Sequence, residues 1–144
     1  MNLPTGHKII LLWALSGLLA QFIKTFLGYF KKKKINLRHL VEPGGMPSSH
    51  SSSAFALTTS IGLAYGFDSP LFAITLFFSF IVIYEAAGLR RSAGRQAEIL
   101  NKLLDKIYKK EVSKDMKLRE LLGHTPIEVF LGCLMGILFA LAFF

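Results

Sequence analysis

The chain holds a single cysteine, Cys133, and it lies inside an apolar run. No intrachain disulfide is possible, and packing among apolar neighbours is its expected role. Acidic residues are scarce. Nine Asp and Glu stand against 17 Lys and Arg, for a net charge of +8 and a pI of about 9.8. No aromatic platform accompanies the lysine run, so nucleic acid is not an expected partner. No C-x2-C or H-E-x-x-H spacing marks a metal site, and no cofactor is expected. Internal repeats and long low-complexity tracts are missing. A cleavable signal peptide is not expected either. The stretch from Ile9 to Phe30 is longer than a signal h-region, lacks an A-x-A ending, and is followed rather than preceded by lysines.

What the chain has in quantity is hydrocarbon. Hydrophobic residues make up 52% of its 144 residues, with a mean hydropathy of +0.47, too apolar for an ordinary soluble domain of this size. The expected fold class is an all-α integral membrane protein: a four-transmembrane helix bundle with one amphipathic cytoplasmic helix, forming a single membrane domain over 1–144. A span needs roughly 20 apolar residues in helical form. Candidates are 9–30, 49–65, 70–88 and 126–144. The second is rich in Ser, Thr, Ala and Gly, which suits close packing inside a bundle. Gln21 and Lys24 interrupt the first, Lys24 near enough to the end to snorkel. Residues 66–70, Gly-Phe-Asp-Ser-Pro, form a compact turn. Between spans three and four, apolar residues at Ala93, Ala97, Leu100, Leu103, Leu104 and Ile107 predict an amphipathic helix over about 93–110, touching either headgroups or the bundle. Residues 109–120 read as an exposed loop or a short helix.

Charge sets the orientation. Fifteen of the 17 basic residues fall after span one or between spans three and four, which an up-down bundle places on one side. The positive-inside rule makes that side the cytoplasm. Bacterial plasma membrane is the expected location, with an organelle membrane as the alternative.

Two polar thresholds open on that side. In "GGMPSSHSS", residues 44–52, Gly44 and Gly45 give a flexible approach, Pro47 fits a first helical turn, and Ser48 or Ser49 can cap it. Free amides at a helix start bind anions, and His50 would project beside one. The bland alternative is a plain helix start with an interfacial histidine. At residues 123–128, Thr125 and Glu128 match a capping box with Pro126 at the first helical position. That pattern leaves His124 unexplained. Near the end of span three, Glu85 needs a partner, and Arg90 or Arg91 is the obvious one. Those arginines are either a stop-transfer pair or a phosphate clamp.

The segments "GGMPSSHS", "GLRRSAGRQAEILN" and "LGHTPIEVFLG", taken together and in this order, resemble the divergent branch of the type 2 phosphatidic acid phosphatase superfamily, from about Leu11 to Phe144. The wider superfamily, which also includes vanadium-dependent haloperoxidases, uses K-x6-R-P, P-S-G-H and S-R-x5-H-x3-D. Here Lys31-x6-Arg38 has the first spacing, with His39 in place of proline. Pro47-Ser48-Ser49-His50 resembles the second, with Ser49 for glycine. His124-x3-Glu128 resembles the end of the third, with Glu128 for aspartate. Its Ser-Arg start is missing, and Arg119 sits five rather than six positions before His124.

The resemblance implies His124 as a nucleophile forming a phosphohistidine, Glu128 orienting it, and His50 as acid and then base. Lys34, Arg38, Arg90 or Arg91, and the Ser48 and Ser49 amides would hold phosphoryl oxygens, with Glu85 and Gly45 in support. No metal is needed, although Glu85, Glu128 and Asp105 could hold a divalent ion if the fold gathered them. The implied substrate is a membrane lipid phosphate: phosphatidate, phosphatidylglycerophosphate or an isoprenoid phosphate. Anionic lipid would collect at the basic face, and a homo-oligomer stays open. The competing reading is a non-catalytic membrane protein that keeps a lipid-phosphate pocket. A channel or transporter is the third.

Overall fold

A computed structural model describes residues 4–32, 45–108, 117–118 and 123–144. All its regular structure is helical: α1 (Thr5–Lys32), α2 (Ser49–Tyr65), α3 (Pro70–Tyr84), a π turn (Glu85–Leu89), α4 (Arg90–Tyr108) and α5 (Pro126–Phe143). Among the described residues no strand forms. Among the described residues, three stretches are long and apolar enough to cross a membrane, namely Thr5–Gly28, Pro70–Ile107 and Pro126–Phe143. The 17-residue α2 is shorter.

The helix ends follow local chemistry. Ser48 caps α2, its Oγ accepting from the Ser51 amide at 3.4 Å. Pro47, expected in the first turn, instead precedes this cap. Gly66, at φ 93°, ends α2, because L side chains are strained there. Ser69 then caps α3 with Pro70 at its first turn, so the expected turn over 66–70 stands. Thr125 and Glu128 form the expected capping box at α5.

Helix α2 is the hub, packing on α1, α3 and α5. Its small residues let these neighbours approach, and its hydroxyls bond across to them. Ser52 and Ser16 of α1 place their Oγ atoms 2.7 Å apart, while Thr58 and Ser79 of α3 sit at 2.8 Å. On the α5 side a Cβ added to Gly132 would lie 2.5 Å from the Ser48 carbonyl oxygen, and one added to Gly136 would collide with the Ser52 carbonyl. Only glycine permits this approach. These contacts set α5 parallel to α2, with α1 and α3 antiparallel to it. The C-terminal ends of α1 and α3 therefore meet the starts of α2 and α5. At the opposite end, Lys8 Nζ donates to the Phe144 carbonyl and lies 4.6 Å from its ring centroid.

The amphipathic segment departs from expectation. No break separates it from span three, since the π turn carries α3 straight into α4, which begins at Arg90. Its apolar residues share one face by helical spacing, and that face is only partly covered. Ala97 is buried, whereas Leu100, Leu103 and Ile107 are exposed. Asn101 holds the helix to a distant segment, donating to the Leu118 carbonyl and accepting from the Leu118 amide, both at 2.9 Å. Cys133, expected to be buried, is half-buried.

Candidate functional site

Two helix starts are joined side by side. The Ser48 amide donates to the Glu128 carbonyl at 3.1 Å, tying the cap of α2 to the first turn of α5. The His124 amide donates to the Ala86 carbonyl at 3.0 Å, so the π turn fixes the loop that enters α5. Wide helical turns of this kind recur at functional sites. Three elements thus converge on His124.

The His124 side chain is 5% exposed. Its Nδ1 lies 3.4 Å from Glu128 Oε2, close enough to pair in charge but without hydrogen-bond alignment, and no described residue bonds that nitrogen. Glu128 Oε2 also accepts from the Thr125 amide at 2.9 Å, which fixes the carboxylate. Burial pushes the His124 imidazole below its ordinary value. The Glu128 carboxylate opposes this, while nearby Lys24 and His50 act in the same direction as burial.

A cavity of about 1040 Å³ opens beside these helix starts. His50 and His124, 74 positions apart in sequence, both line it, together with Ser49 and with Lys24 of α1. The proximity of two imidazoles and an ammonium, beside two helix starts with partial positive charge, makes an anion the fitting occupant. Histidine can also move protons near neutral pH.

The other expected site residues divide as follows. Ser49 lines the cavity. Ser48, expected beside phosphate, is fully buried with its amide engaged by Glu128, and it joins the two helices instead. Gly45, at φ 89°, packs beneath Lys24, where a Cβ would come within 3.0 Å of Lys24 Cδ. Glu85 is the half-buried first residue of the π turn. Arg91 is exposed on α4 and does not line the cavity. Arg90 starts α4, and its side chain lies outside the described set, as do Lys34 and Arg38 entirely. Asp105 pairs with Lys117 at 3.0 Å, and among the described residues no three acidic, histidine or cysteine side chains gather as a metal site would need.

Sequence reasoning missed Gln21 and Lys24 as cavity residues. Their signal was available: two polar residues three positions apart in an apolar helix share one face, and ionisable residues in such helices mark functional surfaces.

An apolar helical bundle with paired histidine-bearing helix starts opening on one cavity defines a membrane protein with an anion-suited pocket. The chain belongs to the Divergent PAP2 family, whose model matches residues 5–139. It is 44% identical over 133 residues to the uncharacterized membrane protein YuiD of Bacillus subtilis (strain 168), covering 85% of this chain and 84% of that protein. No solved structure matches it.

Proposed function

We propose that the protein is a lipid phosphatase, crossing the bacterial plasma membrane four times with its cavity facing the cytoplasm. The observation that carries this reading is the meeting of His50 and His124 in one cavity. Nδ1 of His124 faces Glu128, which leaves Nε2 to attack phosphorus. A nitrogen–phosphorus bond forms as the ester phosphorus–oxygen bond breaks, and His50 donates its proton to the departing oxygen. In the second step His50 takes a proton from water, the water oxygen attacks phosphorus, and the nitrogen–phosphorus bond breaks to release phosphate. Glu128 balances the positive charge that develops on His124. Lys24, the Ser49 helix start, and Lys34, Arg38 or Arg90 hold the phosphoryl oxygens. The substrate is an amphiphile whose head reaches the basic face while its tail stays in lipid.

A second reading, a lipid-phosphate binder without turnover, draws support from the 3.4 Å gap between His124 and Glu128 and from the missing Ser-Arg of the third motif. Phosphate release from a panel of lipid phosphates decides between them. Release that His50→Ala and His124→Ala each abolish supports catalysis, whereas binding without release supports the alternative. Release unaffected by either substitution overturns the site, and release abolished by a chelator replaces the mechanism with a metal-dependent one.

A further inference from the structure

The cavity continues well past the histidines. Its polar end holds Lys24, Ser49, His50 and His124, and its far end holds Trp13, Leu57 and Phe78. Helices α1 and α3 supply the walls, and α2, packed against both, supplies the floor. The outer rim is open, since Trp13, Leu18 and Phe78 are 45%, 66% and 59% exposed. The shape is a groove along the bundle, open on the side that an apolar helix presents to lipid.

Its length is informative. Trp13 and Lys24 are eleven positions apart on one helix, or ~16 Å at about 1.5 Å per residue. Half of a hydrocarbon core ~30 Å thick is about the same distance. A lipid of one leaflet, with its phosphate at the histidines, would lay its chain along the groove to the level of Trp13. The charge pattern agrees with that direction, cationic and imidazole groups at one end and aromatic and aliphatic groups at the other. Gln21 and the aliphatic stem of Lys24 stand at the transition.

We propose that this groove is the hydrocarbon-chain subsite of the phosphate site. It takes one chain of a lipid phosphate that enters sideways from the leaflet, with Lys24 and Gln21 forming the collar where head meets chain. The inference rests on the lipid-phosphate reading above, and it makes Trp13 the residue that a chain of sufficient length reaches.

Trp13 is the one tryptophan in the chain, so its emission reports directly. The full-length protein in neutral-lipid nanodiscs is titrated with single-chain alkyl phosphates brominated at the chain end. The same brominated chains bearing a phosphocholine head are the reference. The expected result is saturable quenching by the phosphate series, absent for chains too short to span ~16 Å, with the phosphocholine series giving only weak, unsaturated quenching. Ala54→Phe on the floor and Ala14→Phe on the α1 wall each fill the groove, and thermal melting checks that each variant folds. Each raises the half-saturating concentration roughly tenfold, equivalent to ~1.4 kcal/mol. Lys24→Ala does likewise, and Lys24→Arg restores binding. Quenching that ignores the headgroup, or that both groove-filling variants leave unchanged, shows ordinary bilayer chains covering α1 and α3 and overturns the proposal. Phosphate release measured on the same alkyl phosphates separates the two claims. Release without saturable quenching removes the groove and keeps the phosphatase, whereas saturable quenching without release keeps the groove and removes the phosphatase.

Discussion

Replacing Gly132 by alanine tests how the two helix starts are held together. The new Cβ would stand 2.5 Å from the Ser48 carbonyl oxygen, 3.0 Å from Ser51 Cβ and 3.2 Å from Ser48 Cβ. Comfortable contact lies at about 3.5–4.0 Å, so α5 must retreat from α2 by about 1 Å. The obstacles are a backbone carbonyl and short side chains, none of which can swing aside. Overpacking of this kind costs ~1–3 kcal/mol, and straining the nearby Ser48–Glu128 backbone hydrogen bond adds about 1 kcal/mol. Alanine's better helix propensity returns up to ~1 kcal/mol. The net loss is roughly 1–3 kcal/mol, or about 3–10 °C in Tm for a chain of this size. Gly28→Ala is the control, because a Cβ there meets nothing within 4 Å, and it should leave Tm level or slightly raised. Thermal melts of the purified proteins in detergent give the comparison. Glu128 moves with α5, so Gly132→Ala should also lower phosphate release. A Gly132→Ala protein that melts no lower than Gly28→Ala would show that close approach does not hold these helices, and the account of the site would fail with it.

Three further predictions follow from other contacts. Burial keeps His124 neutral to lower pH than its ordinary 6.5, against the Glu128 charge and with Lys24 and His50 nearby. Below about 6.5 the unfolded chain therefore binds more protons than the folded one, and stability falls with pH until the folded imidazole also protonates; His124→Asn should shrink the Tm difference between about pH 7 and about pH 5. Glu128→Gln can keep its capping bonds to Thr125 but loses the charge opposite His124, so phosphate release should drop by roughly 10²-fold or more, while Tm changes by no more than a cap's worth, ~1 kcal/mol. For orientation, cysteines introduced at Asp68 and Lys106 of a Cys133→Ser protein should label from outside intact cells at position 68 only; external labelling at 106 would reverse the topology.

Local chemistry made some of this readable in advance. Ser48 and Thr125 mark their helix starts because a side-chain oxygen must satisfy orphan amides, and Gly66-x-x-Ser69-Pro70 combines a stop with a start. Short-range rules of that kind act within a turn of helix, so one chain suffices to see them. Pro47 was misplaced because both sides of a cap accept proline. The π turn left no trace, since Glu-Ala-Ala-Gly-Leu fits an α-helix equally well and only the tertiary bond from His124 to Ala86 singles it out. Lys24 was missed as a cavity residue for a related reason. Sequence gives the face on which a residue stands, but not that α2 and α5 begin opposite that face with histidines. The pairing of His50 with His124 was legible through the topology, because each stands at a helix start on the same basic side, His50 just inside α2 and His124 just before the cap of α5.

The wide turn at 85–89 also governs which length changes the chain can absorb. Each residue of an α-helix advances the winding by about 100°. Deleting one residue there would close the wide turn into an ordinary α turn and shift the Ala86 oxygen from its bond to His124. Adding or removing a residue in the Gly66–Ser69 bend disturbs only a surface corner at the far end. Viable length variants should therefore cluster at that corner and spare the junction, which acts as the chain's register mark.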